Sequence, residues 1–152
     1  MIACEDVLKL CPAIYQEYVP GTRHIRAQCF GDQVYAAAIE SEALDWRPNL
    51  DVPFVSVKLD SSVEARLRDV LRRLGLRMGV FDLKIGSDGE PIWLEVNPQG
   101  QFLFVEGLSG LPLTRAFANF IYELAVTRHS PETKTRRGDG DMHQSFRPRR
   151  KV

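Results

Sequence analysis

Alternation of polar and apolar residues organises the first half of the chain. Residues 23–30 set His24, Arg26 and Gln28 on one side and Ile25, Ala27 and Cys29 on the other. Residues 33–40 follow after the short turn Gly31-Asp32, so the two runs read as a β-hairpin. Residues 13–19 read as another strand, closed by Pro20-Gly21, and the polar, proline-interrupted residues 41–53 as a loop. The period then changes. Val63, Leu67, Val70, Leu71 and Leu74 form a stripe at helical spacing, with Ser61 and Glu64 as a capping box and Gly75 as the stop. A second hairpin occupies residues 79–97, a loop rich in glycine and proline spans 98–110, and Pro112 opens a second helix. Leu113, Phe117, Phe120, Ile121 and Leu124 make the buried stripe of that helix. These elements predict an α+β fold: an antiparallel sheet with helices packed on its apolar face and the polar face open to a ligand.

The second hairpin carries the chemistry. Asp88-Gly89 suits a two-residue type I′ turn. Folding there sets Asp82 opposite Glu95 and residue 80 opposite Asn97, with Asp82, Lys84, Trp93, Glu95 and Asn97 on one face. Pro91 falls at the strand start, where proline is tolerated. Two carboxylates about 5 Å apart at Cβ repel unless a proton or a cation lies between them.

Composition narrows the setting. A chain of 152 residues suits one domain with a core, and zero net charge gives no case for nucleic acid. Residues 128–152 hold eight Lys or Arg against three Asp or Glu and few apolar residues. We read them as a basic disordered tail on a folded, acidic body of residues 1–127. Three cysteines (Cys4, Cys11 and Cys29) without CxxC spacing fit a reducing cytoplasm, with Cys29 packing as a small hydrophobe. There is no apolar run long enough to cross a bilayer and no signal peptide.

Asp82, Glu95 and the amide of Asn97 form an all-oxygen donor set, which suits magnesium better than zinc. A solvated acidic patch is the alternative reading of the same three residues. Arg26, Arg47, Lys58 and Lys84 are candidates for phosphate contact; each is also an ordinary surface charge, and Lys84 could pair with Glu95 or Asp82. The sequence lacks GxxxxGK[ST], GxGxxG and a Ser-His-Asp set.

Residues 16–41 (QEYVPGTRHIRAQCFGDQVYAAAIES) and 78–113 (MGVFDLKIGSDGEPIWLEVNPQGQFLFVEGLSGLPL) resemble the C-terminal part of an ATP-grasp ligase. The run LEVNP after a strand with FDL resembles the metal signature of those enzymes. DWR at 45–47, NPQGQF at 97–102 and GLPL at 110–113 resemble the graspetide (microviridin-type) branch, which matures ribosomal peptides. The resemblance implies that Asp82, Glu95 and Asn97 hold magnesium (or manganese) bridging ATP phosphates. It implies that Gln16, Glu17, Tyr18 and Val19 form the hinge holding adenine. Arg26 then faces phosphate or acyl phosphate, with Arg47 and Lys84 reaching the same region. His24 stands where the family has an acidic residue. The implied activity is ATP-dependent ligation of a carboxylate to an amine or hydroxyl, on a peptide or a small carboxylate. The other implied branch adds amino acids to a ribosomal protein. The N-terminal half of the ATP-grasp module has no counterpart in the chain. A separate polypeptide supplying it, or a non-catalytic nucleotide- or peptide-binding remnant, follows as an expectation.

Overall fold

A computed structural model describes residues 16–129. Five strands form one antiparallel sheet in the order β3-β2-β1-β4-β5. They are β1 (Arg23–Phe30), β2 (Gln33–Glu40), β3 (Phe54–Val57), β4 (Met78–Ile85) and β5 (Pro91–Asn97). The helices are α1 (Ser61–Arg73), α2 (Leu103–Ser109) and α3 (Leu113–His129). The expected α+β class and both hairpins are present.

β1 lies at the centre, paired with β2 from Arg23↔Glu40 to Phe30↔Gln33 and with β4 from His24↔Lys84 to Phe30↔Met78. Its period-2 pattern therefore feeds two cores. Ile25, Ala27 and Cys29 join Ala36, Ala38, Phe81 and Leu83 beneath Leu67 and Leu71 of α1. On the opposite face Phe30, Ala37 and Ile39 join Trp46, Phe54, Val105, Leu113 and Phe120. Helices thus cover both faces, α1 on one and α2 with α3 on the other, which corrects the expectation of helices on one face only. The polar face is covered because Phe30 and Ile39 share it with Arg26, and their apolar area needs a partner layer. His24, Arg26, Gln28 and Lys84 are consequently buried.

Several local expectations also change. Residues 16–20 have no regular structure where a strand was expected, and residues 13–15 lie outside the described residues. α1 is capped by Asp60 without a side-chain hydrogen bond, and Glu64 pairs with Arg68 at 3.3 Å, so the Ser61–Glu64 capping box does not form. The helix ends as expected at Gly75: Gly75 N–H donates to Arg72 and Leu76 N–H to Leu71, a Schellman pattern. Helix α2 occupies part of the expected loop 98–110. In α3, Leu113 and Phe120 are buried, but Ile121 is about half exposed. α3 continues to His129, past the expected start of the tail, and residues 130–152 lie outside the described residues. Among the described residues no helix is long and apolar enough to cross a membrane.

Candidate active site

The hairpin of β4 and β5 reaches the expected acid pairing by a different route. Gly89 N–H donates to the Gly86 carbonyl and Gly86 N–H to the Glu90 carbonyl, so three residues, 87–89, form the loop. Gly89 has φ +82°, whereas Asp88 is not left-handed, as a type I′ turn would require. This shifts the first pairs to Ile85↔Pro91, Lys84↔Ile92 and Leu83↔Trp93. A bulge then absorbs Leu94 and restores Asp82↔Glu95 and Val80↔Asn97. Trp93 is thereby turned to the α1 side, against Leu67 and Leu83, and Leu94 replaces it on the site face. The expected grouping of Trp93 with Asp82 and Glu95 is corrected accordingly.

Asp82 is clamped. Arg26 Nη1 donates to Asp82 Oδ1 at 2.7 Å and to Oδ2 at 2.8 Å, and Arg26 Nη2 donates to the Gln101 carbonyl at 2.7 Å. The guanidinium lies 5.7 Å from the Trp46 ring and 5.6 Å from that of Phe104. Trp46, the middle of DWR, is buried against Phe54 and Phe104, which anchors the 41–53 loop beside the acids. Asp45 and Arg47 flank that anchor. Arg47 Nε donates to Asp45 Oδ1 at 2.7 Å, and Arg47 Nη1 reaches Glu95 Oε1 at 3.3 Å. The Arg47 hydrogen bonds hold the Asp45 carboxyl below its ordinary range.

The acid pair is electrostatically opposed across the ladder. Partial burial, a hydrogen bond from one carboxyl to the other and repulsion by Asp82 push Glu95 above its ordinary range, against the pull of Arg47 and Arg26. Among the described residues no group of three or more His, Cys, Asp or Glu could hold a metal ion. The donor set is therefore Asp82 and Glu95 with the neutral Asn97. Asn97 Oδ1 accepts from Gln99 N–H at 2.9 Å, which orients the amide and leaves the oxygen a second lone pair. Two carboxylates and an amide oxygen are donors of the kind that suit a hard divalent cation such as magnesium.

A cavity of about 440 Å³ opens over this corner. Gln16, Glu17, Tyr18 and Val19 line one side, and Asp45, Arg47, Asp82, Lys84 and Glu95 the other. Eight of the ten sequence-derived site residues therefore meet in one space; Arg26 and Asn97 support it from outside its lining. Lys58 falls elsewhere, beside a smaller cleft with Val57 and Leu59. Among the described residues Lys84 has no carboxylate in ion-pair contact, and its ammonium sits 5.5 Å from the Tyr18 ring. His24, also lining the cavity, is buried with Nε2 unpartnered. Burial and the Lys84 charge hold its imidazole below the usual range, and a hydrogen bond to the Ser41 backbone works the other way. Trp46, Phe104 and the Gln101 carbonyl were not legible as site residues. Only the apolar Trp between two opposite charges in DWR signalled an anchor.

Solved structures share this architecture. The macrocyclase MdnB from Microcystis aeruginosa MRC is 28% identical with a TM-score of 0.60, over 70% of this chain and 40% of that one. The chain carries part of the ATP-grasp ligase fold. The ATP-grasp ligase PsnB, in complex with a phosphomimetic variant of its minimal precursor, Mg and ADP, is 25% identical with a TM-score of 0.60, over 74% of this chain and 35% of that one. A Chryseobacterium gregarium RiPP-associated ATP-grasp ligase, in complex with ADP and a leader and core peptide, has a TM-score of 0.69 at 24% identity, over 78% of this chain and 38% of that one. The chain thus spans about a third of the length of these ATP-grasp proteins. No family model matches the sequence, and no curated protein matches it. The resemblance to the peptide-maturing ATP-grasp branch, read from DWR, NPQGQF and GLPL, agrees with these structures.

Proposed function

We propose that the chain forms the magnesium- and adenine-binding part of a carboxylate–amine or carboxylate–hydroxyl ligase that acts on a peptide through an acyl phosphate. One observation carries this reading: the 16–19 segment, the Asp82–Glu95 pair and the buried Lys84 face one cavity of about 440 Å³. The solved relatives with bound ADP, Mg and peptide support the cofactor and substrate class.

In this reading a substrate carboxylate oxygen attacks the γ-phosphorus of ATP and ADP leaves. An amine or hydroxyl then attacks the acyl carbonyl, and phosphate departs as the proton is released. Asp82, Glu95 and Asn97 hold magnesium, which offsets phosphate charge when bound. Arg26 fixes Asp82 in place. Lys84 contacts phosphate oxygens as a compact charge, and Arg47 offers them a planar fork. The backbone of Gln16–Val19 holds adenine.

Calorimetry of ATP with and without magnesium tests the site. Magnesium-dependent binding that disappears in Glu95→Ala/Asn97→Ala, with an unchanged circular dichroism spectrum, is the expected result. Binding that survives in the double variant refutes the metal assignment. Binding that appears only with an added N-terminal ATP-grasp half shows that this part of the site needs the other half to hold ATP; binding under neither condition overturns the ligase reading for this polypeptide.

A further inference from the structure

Gln28 is fully buried at the centre of the sheet, and neither its Oε1 nor its Nε2 has a protein partner. Arg26, two residues earlier on the same face of β1, has its Nη1 and Nη2 bonded, while its buried Nε–H lacks a partner. The surroundings explain why neither group reaches bulk solvent. Consecutive residues Gln101 and Phe102 contact Arg26 and Phe30, the two residues of this face that flank Gln28, so that segment closes over it. Gly100 presses on Val80, the residue beside Gln28 on β4; a Cβ at Gly100 would meet Val80 Cβ at 2.7 Å.

A buried amide and a buried guanidinium N–H left unbonded are strongly disfavoured, and natural proteins satisfy such groups with an internal water. The donors and acceptors match one water molecule. A water between the two side chains would accept from Arg26 Nε–H and from the Gln28 amide N–H and donate to Gln28 Oε1, the usual three bonds.

We propose that an internal water is bound between Arg26 Nε and the Gln28 amide, and that Gln28 is thereby a positioning residue for the Arg26–Asp82 clamp. This goes beyond the ligase reading and does not depend on it. The guanidinium is a rigid plane, so fixing Nε sets the direction in which both Nη1 bonds meet Asp82.

The test compares the full-length wild type with Gln28→Met, which keeps the length of the side chain and removes its polar atoms. A dry site predicts that Gln28→Met is more stable, because an unsatisfied amide is removed. The water site predicts the opposite sign, a melting temperature lower by about 3 °C. NMR supplies a readout that a merely structural role would not move: Arg26 Hε shows a cross-peak to a long-lived water in the wild type. In Gln28→Met that cross-peak is lost and Hε exchange with solvent speeds up at least tenfold. If the variant fails to fold, the wild-type cross-peak decides alone. Its absence, a stabilised variant, or unchanged Hε exchange in a folded variant overturns the proposal.

Discussion

Replacing Arg26 by Met tests whether one buried cation ties the sheet to the loops above it. Arg26 is 7% exposed, and its side chain makes two bonds to Asp82 and one to the Gln101 carbonyl beside two aromatic rings. Methionine refills much of the volume beside Trp46 and Phe104. It leaves the Asp82 carboxylate, only 14% exposed, without its counter-charge and facing Glu95. Breaking a buried pair from one side costs about 3–5 kcal/mol. The residual exposure of Asp82 places this case near 3 kcal/mol. Urea unfolding followed by fluorescence reads the effect directly, since Trp46 is buried against the clamp. With a slope of about 2 kcal/mol per molar, the midpoint falls by roughly 1.5 M. Arg26→Met/Asp82→Leu exchanges the whole pair for apolar groups and should return to within about 1 kcal/mol of the wild type. A single variant that loses less than about 1 kcal/mol, or a double variant no better than the single, refutes the clamp.

The remaining predictions concern charge, reactivity and packing. Glu95 is raised above its ordinary range in the folded state, so the fold binds its proton more readily than the unfolded chain does, and the stability contributed by Glu95 falls as pH rises through that window. Glu95→Gln should therefore stabilise at pH 7, by less than about 1 kcal/mol because the side chain is 54% exposed. Urea melts at several pH values should show this gain vanish below about pH 4; a constant gain contradicts the repulsion. Burial pushes the Cys29 thiol up to about 12, so Ellman's reagent at pH 8 should label it about 10³-fold more slowly than a free thiol. Rapid labelling of the native protein, located by peptide mapping, would contradict that burial. Gly100→Ala places a Cβ against Val80 and should cost about 2 kcal/mol, or roughly 4–8 °C in a thermal melt; an unchanged melt would mean that the 97–102 segment yields.

Period-2 patterning made β1, β2 and the facing acids legible because each strand has one face that must be dry. The same reasoning failed where packing overrides local preference. Residues 103–109 form a helix despite Gly107, since Val105 fills the second core; glycine content alone pointed to a loop. Phe54–Val57 pairs with β2 at the sheet edge, and four residues after a proline gave no periodic signal. The burial of His24 and Gln28 was hidden for a related reason. Polar alternation predicts a wet face, and only the positions of Phe30 and Ile39 on that face reveal that it is roofed. The facing of Asp82 and Glu95 was legible because both acids sit at fixed spacing along paired strands. The aromatic pair beside Arg26 was not, because Trp46 and Phe104 come from separate segments.

The three-residue loop and the Leu94 bulge are a matched pair of irregularities: the loop offsets the pairing by one residue and the bulge on β5 takes that offset back. Together they uncouple the tip of the hairpin from its base. Changes in the sequence of residues 87–89 therefore leave the inward direction of Asp82 and Glu95 untouched. A single-residue deletion there shortens the loop but keeps Gly86 opposite Glu90 and every pair below it in register, with the Leu94 bulge still setting Asp82 opposite Glu95. The tip is thus the place where the chain can change length or accept new side chains without redirecting its acids.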